Sequence, residues 1–224
     1  MRFLKIAIQI AIMLLPWSMR RWFLVKCMGY DIHPTARVGK SIILSRKLIM
    51  AEYSRIGDLT FASGLEEIRL DRHSRIGKLN WISGFPLGPS RYFRDFPARY
   101  PLLHVGEHAS IVNRNLIDCT DRVIIGKFSL LAGNRGQILT HGIDIRTSNQ
   151  SCAPVKIGDY CMVGTACVVL KGASLPSYCI LGAGSVLQKH YAEGFRLYSG
   201  VPAVSVKILA EDISFFRRSK GTSD

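Results

Sequence analysis

The sequence predicts an all-β chain wound as a parallel β-helix, and three observations carry that prediction. From Ile157 to Leu187 an aliphatic residue recurs at every sixth position: Ile157, Val163, Val169, Leu175, Leu181 and Leu187. The fifth residue of each unit is small, namely Cys161, Cys167, Ala173, Cys179 and Ser185. The same period returns upstream, from Val38 onward and again from Val105. A helix repeats every 3.6 residues and a strand every two, so a strict six belongs to neither. It marks short strands stacked coil upon coil, with the aliphatic residue filling the bore and the small one fitting the inner corner.

The chain has 224 residues, 48% of them hydrophobic, enough for one domain with an appendage. Thirty Lys plus Arg stand against 16 Asp plus Glu, a net charge of +14. Such a surplus suits an anionic partner: nucleic acid, an anionic membrane face or a phosphate-rich ligand. No nucleic-acid module is legible, and the basic residues are not interleaved with aromatics in a binding motif, which argues against nucleic acid. Of the six cysteines, Cys161, Cys167 and Cys179 occupy the small inward position of the repeat. Cys27, Cys119 and Cys152 are scattered with no C-x-x-C pair, so all six read as reduced thiols.

Taken in order, residues 1–30 differ from everything that follows. Between Phe3 and Leu15 only Lys5 and Gln9 are polar, and Pro16, Trp17, Arg20, Arg21 and Trp22 come next. That run is too short to cross a bilayer as a helix, which takes roughly 20 residues. A basic start before an apolar run fits a secretory signal, but no small-x-small cleavage site follows. Two readings stay open: an interfacial anchor with Trp17, Trp22 and the arginines at headgroup level, or a helix packed on the end of the β-helix or on a partner subunit. Pro16 predicts a break into two short helices.

The repeat begins weakly, with Val38, Leu44, Met50, Ile56, Ala62 and Ile68 in phase, and resumes at Ile76 and Ile82 after a two-residue insertion. Glu66 and Arg72 fall at the small inward position, which predicts irregular early coils. Residues 83–104 break the period with prolines, glycines, Arg91, Tyr92, Phe93, Arg94, Phe96, Arg99 and Tyr100. A loop of that length is expected to grip a polar acceptor, touch a membrane or clamp a neighbour. The period restarts through Val105, Ile111, Ile117 and Val123, slips by two to Ile125 and Leu131, and is interrupted again at 142–154. Past Leu187 the chain leaves the repeat, and a short C-terminal helix is expected within 210–224, its last residues disordered. The expected division is an apolar helical segment 1–30, a β-helix 31–209 and a tail 210–224.

Among six histidines, His141 lies where a coil gives way to a polar loop, in L-T-H-G-I-D. An exposed histidine there can bind substrate and titrates near neutrality, as a general base should. Asn113, third in its unit, should point outward to a ligand, whereas Asn115, fifth, should face the bore and hydrogen-bond internally.

The hexapeptide units, the T-H-G loop, L-G-A-G-S-V and S-G-V-P-A together resemble the hexapeptide-repeat acyltransferases. The nearest branch is that of the maltose and galactoside O-acetyltransferases and the polysaccharide acetyltransferases. The match covers about residues 105–209. The resemblance implies a left-handed β-helix, a homotrimer with active sites between subunits, acetyl-CoA as donor and no metal. It implies His141 as catalytic base and Asn113, in V-N-R-N, as the acceptor-site asparagine, with Arg114 beside it. Thr165, preceded by Gly164, matches the position next to the thioester, where a backbone N–H can stabilise the oxyanion. Ala183 would line the pantetheine channel, and Gly200, Pro202 and Lys207 would meet the nucleotide. Val204 replaces a residue that is often basic in that family, so either Lys189 and Lys207 carry more of the phosphate contact or the nucleotide sits differently.

The expected function is therefore O-acetylation of a sugar in a polysaccharide or lipid-linked glycan precursor, in the cytoplasm at the inner membrane face. N-acylation of an amino sugar uses the same base and donor. A metal-dependent carbonic anhydrase of this fold would need His104 and His108 with a third histidine, and a non-catalytic scaffold would need none of this chemistry.

Overall fold

The computed structural model describes residues 2–88 and 92–221. Arg91 of the long loop and the last three residues of the tail lie outside the described residues. The body is a left-handed parallel β-helix whose three faces are each seven parallel strands, the second extended to nine by a terminal hairpin. The first face runs from Asp31–Ile32 to Ser174–Leu175, the second from Arg37–Val38 to Ile180–Leu181, and the third from Ile42–Leu44 to Val186–Leu187.

The in-register columns explain the period. On the third face Ile43, Ala62, Ile82, Ile117, Ile138, Val169 and Leu187 pair one coil to the next. All are buried, and each buried aliphatic side chain contributes roughly 1.5–3 kcal/mol relative to exposure. Cys161, Cys167, Ala173, Cys179 and Ser185 fill the inner corners. Burial pushes the Cys161 thiol up to about 12, so it stays protonated and inert.

Two expectations in the early coils are corrected, at Leu44 and Arg72, while Glu66 does take an inward position. Ile43 points inward and Leu44 is half-buried, because the first coil turns one residue early. Arg72 is exposed, and Ser74 takes the inner corner instead. Glu66 is buried at a corner, where its carboxylate accepts from Arg46 (3.3 Å) and from the Leu87 backbone N–H (3.1 Å). The two-residue insertions have one cause: several first-face strands are long enough to aim two residues inward, such as Ile68 with Leu70 and Val123 with Ile125.

Corners are tight and use left-handed backbone. Between the first and second faces Tyr53, His73, His108, Phe128, Tyr160, Tyr178 and Phe195 all have φ between 51° and 61°. Such backbone costs on the order of 1–2 kcal/mol per non-glycine residue. Here it is offset by stacking, since the seven rings form one continuous column with centroids 4.7–5.2 Å apart.

Both ends of the coil are covered. Helices α1 (Arg2–Ile12) and α2 (Trp17–Lys26) break at Pro16 and seat on the first coil. The Gln9 amide bonds both the carbonyl (2.6 Å) and the N–H (2.8 Å) of Ile43, and Arg21 Nε donates to the Ile32 carbonyl (3.1 Å). Arg20 likewise donates to Gly39. The two arginines expected at headgroup level therefore cap backbone of the first coil. No described helix is long and apolar enough to cross a membrane. At the other end Arg196–Gly200 and Ala203–Ile208 form an antiparallel hairpin on the second face. A third helix, α3 (Ser214–Arg217), lies against the aromatic column through Phe216.

Candidate active site

Both long interruptions of the period emerge from one corner, between the third and first faces. The long loop leaves after Trp81–Ser83 and rejoins at Leu102–Val105, so it spans 84–101 rather than 83–104. The second interruption is no open loop: His141–Asp144 pairs antiparallel with Asn149–Cys152, because the coil's own strand direction cannot continue through a polar excursion. Between the two excursions lies one coil with a tight corner, carrying Asp118, Thr120 and Asp121.

This stacking puts Asp118 directly before His141. Their Oδ2 and Nδ1 atoms are 2.7 Å apart. The same oxygen accepts from the Thr140 N–H (2.8 Å), the Thr140 hydroxyl (2.9 Å) and the His141 N–H (3.1 Å). Oδ1 accepts from the Thr120 hydroxyl at 2.6 Å. Burial alone would raise the Asp118 pKa, but donation from His141 and Thr120 outweighs it and holds the carboxyl below its usual range. An ionised Asp118 needs a donor at Nδ1, which fixes the proton there and leaves Nε2 with a free lone pair.

The ring is walled by the long loop. Phe85 and Phe93 meet the imidazole edge-on, at centroid distances of 5.5 and 6.2 Å. Arg99, itself buried, holds that wall: Nη1 donates to the carbonyls of Phe85 (2.7 Å) and Thr120 (3.2 Å), and Nη2 to Pro86 (2.9 Å). Its guanidinium sits over the Phe93 ring at 4.9 Å. Phe93 also lines a cleft of about 420 Å³ between loop and hairpin, together with Tyr92, Arg94, Asp95, Ile143, Ser148, Asn149 and Gln150. Lys171 reaches the hairpin from the following coil and donates to Ser151.

The remaining expected site residues are elsewhere. Asn113, Arg114, Gly164, Thr165, Ala183 and Gly200 line the corner between the second and third faces, one coil above another. There Asn113 Oδ1 accepts from the Lys78 N–H (2.7 Å) and Thr165 Oγ1 from the Asn134 N–H (3.2 Å), each bracing the preceding coil. The Thr165 N–H itself makes no hydrogen bond among the described residues. Asn115 is buried and bonds Asn80 and Gly136 inside the coil, as its position predicts. Lys189 lies on the His141 corner, exposed, with Nζ 5.2 Å from the Tyr191 ring. Pro202 turns the terminal hairpin, and Lys207 is exposed on its outer strand. One chain thus separates His141 from the Thr165 column by the whole third face. At about 3.3 Å per residue and roughly six residues, that is on the order of 20 Å.

Asp118, Thr120 and Thr140 do not stand out in the sequence as site residues, and Arg99, expected to face an acceptor, a membrane or a neighbour, is buried as the loop's anchor. Asp118 was legible in principle: Ile117 and Ile138 are in register, which sets Asp118 beside the residues leading to His141. His104 is taken by Asp71 at 2.9 Å, and His108 is stacked within the aromatic column, so neither faces His141.

Neither a protein-family model nor a curated protein matches the sequence. Solved structures do match in shape. A polysialic acid O-acetyltransferase, OatWY, superposes with a TM-score of 0.57 at 17% identity, over 81% of this chain and 86% of that one. An N-acyltransferase from Bacillus cereus, AntD, in complex with dTDP-4-amino-4,6-dideoxyglucose and coenzyme A, gives 0.50 at 12% identity, over 89% and 92%. At such identities the likeness is one of architecture, and it agrees with the coil described above. The chain shares its β-helix fold with these two acyltransferases.

Proposed function

We propose that this chain is an acyltransferase that moves an acetyl group from acetyl-CoA to a sugar hydroxyl of a polysaccharide or lipid-linked glycan precursor, on the cytoplasmic face of a membrane. The observation that carries the reading is the His141–Asp118 pair, oriented by a buried hydrogen-bond network with the imidazole itself partly exposed. His141 Nε2 takes the proton of the acceptor hydroxyl as its oxygen attacks the thioester carbonyl. Asp118 holds the tautomer and stabilises the imidazolium that forms. As the tetrahedral intermediate collapses, the C–S bond breaks and the imidazolium returns the proton to the coenzyme A thiolate. The unpaired Thr165 N–H is a candidate donor to the oxyanion, and Ala183, Gly200, Pro202, Lys189 and Lys207 are candidates for the coenzyme path.

The separation of the Thr165 column from His141 supports a homotrimer in which one copy's column meets another copy's His141. His141→Ala should lower acetyl-CoA turnover by roughly 100-fold or more, measured as thiol release with glycan acceptor. Retained turnover would sink the base role, whereas no turnover by the wild type would leave a scaffold. Chains carrying His141→Ala and chains carrying Thr165→Trp should each be inactive alone and regain activity when co-expressed. No complementation would place the site within one chain. N-acylation is the second reading, favoured by the shape match to an enzyme that carries an amino sugar nucleotide; mass spectrometry of the acylated sugar separates the two.

A further inference from the structure

Helix α1 is apolar on both sides: Ile12 is buried and Ile8 packs on the core, yet the outward face is apolar as well. Its one amide, Gln9, is buried and bonds Ile43 through both side-chain atoms. That pairing fixes the rotation of the helix. It leaves Phe3, Leu4, Ala7, Ile10, Ala11 and Leu14 facing out, with Phe3 and Leu14 each 88% exposed. Among the described residues no charged side chain interrupts that face, and Met19 and Trp22 of α2 are exposed as well. An ordinary surface helix is polar on its outward face.

Charge decides what covers it. Residues 1–50 hold nine Lys or Arg and a single acidic residue, Asp31. Arg20 and Arg21 are spent on backbone carbonyls, but Lys26, Arg37, Lys40, Arg46 and Lys47 are exposed. Lys5 and Arg46 line one cleft beside α1. A second copy seated on this face would bring like charge against like. An anionic lipid surface supplies both an apolar layer and countercharge. The 11 residues of α1 span about 16 Å at ~1.5 Å per residue, suited to lying in the interface and not to crossing it.

We infer that the outward face of α1, with Trp22 at its side, docks this chain on an anionic bilayer, the helix in the plane of the interface and the basic first coil against the headgroups. The inference rests on the membrane placement proposed above and not on the chemistry at His141, so its test uses no acyl donor. The full chain is floated with phosphatidylcholine vesicles, with and without phosphatidylglycerol, at low and high salt. The expected result is binding to the phosphatidylglycerol vesicles that weakens with salt, and a loss of at least roughly tenfold in Phe3→Ser/Leu14→Ser. Both positions are nearly bare, so that variant should keep the wild-type thermal melt, checked by circular dichroism. Failure of the wild type to bind either vesicle, or undiminished binding by the double variant, overturns the inference. So does a double variant that leaves vesicle binding intact while breaking an assembly of the wild type, since a second copy would then be the occupant. His141→Ala should bind vesicles normally, which separates failure here from failure of the reaction.

Discussion

A carboxylate as deeply enclosed as Asp118 remains ionised because its oxygens are met by N–H and O–H groups from Thr120, Thr140 and His141. The same bonds that set the histidine tautomer also tie two coils together, so one substitution should report on both. Asp118→Asn presents an NH2 to a nest of donors and removes the partner of the Nδ1 proton. Turnover should fall by roughly 10²–10⁴-fold, and stability at neutral pH by about 2–4 kcal/mol. The pH dependence has a definite sign. The folded pKa of Asp118 lies below the ordinary value of 3.8, so its stabilisation is complete above that value and is lost as pH falls through the folded one. Denaturant melts should show a constant gap between wild type and Asp118→Asn at neutral pH, closing below about pH 4.

At the scale of elements, the long loop is irregular in backbone yet fixed in place. Prolines and glycines keep it from becoming strand or helix, and the buried Arg99 then anchors it by three carbonyls and the Phe93 face. Arg99→Met should free Phe85 and Phe93 from His141, raising KM for the acceptor more than it lowers kcat and opening the loop to limited proteolysis. Wild-type protection in that variant would count against the clamp. Gly64, beneath the loop, is equally constrained: φ is +82° and an added Cβ would fall 2.0 Å from the Gly84 carbonyl oxygen. That obstacle is backbone and cannot swing aside. Gly64→Ala should therefore cost about 2 kcal/mol or more, visible as a lowered Tm.

For the whole molecule, stability is nearly one-dimensional, since each coil touches chiefly its neighbours and the ends fray first. The N-terminal helices cover one end and the terminal hairpin the other, while α3 lies along the side. Phe216 is buried edge-on against Tyr178 and Phe195, Arg218 lies over Tyr160, and the Gly221 N–H reaches His108 Nδ1 at 3.1 Å. The tail is a strap along the aromatic column. Phe216→Ala should destabilise by about 3–5 kcal/mol, with hydrogen-exchange protection lost first in coils 160–198 and retained near Ile82. Uniform loss would mean that the coil melts as one unit.

The period of six by itself determined the β-helix, its inward aliphatic columns from Ile157 to Leu187 and the small inner corners, because those depend on residues a fixed step apart. Pro16 dictated the helix break, and the polar interruption after Ile138 pointed to His141. The resemblance to acyltransferases rests on the same local phrases. What only the tertiary structure decided is which corner each break leaves from. That depends on counting coils through insertions of two residues, and a single miscount exchanges inside for outside, as at Leu44 and Arg72. It also depends on contacts between distant segments. Asp118 and His141 are 23 residues apart in sequence and 2.7 Å apart at their polar atoms. His141 and Thr165 are almost as near in sequence, yet a whole face of the coil stands between them.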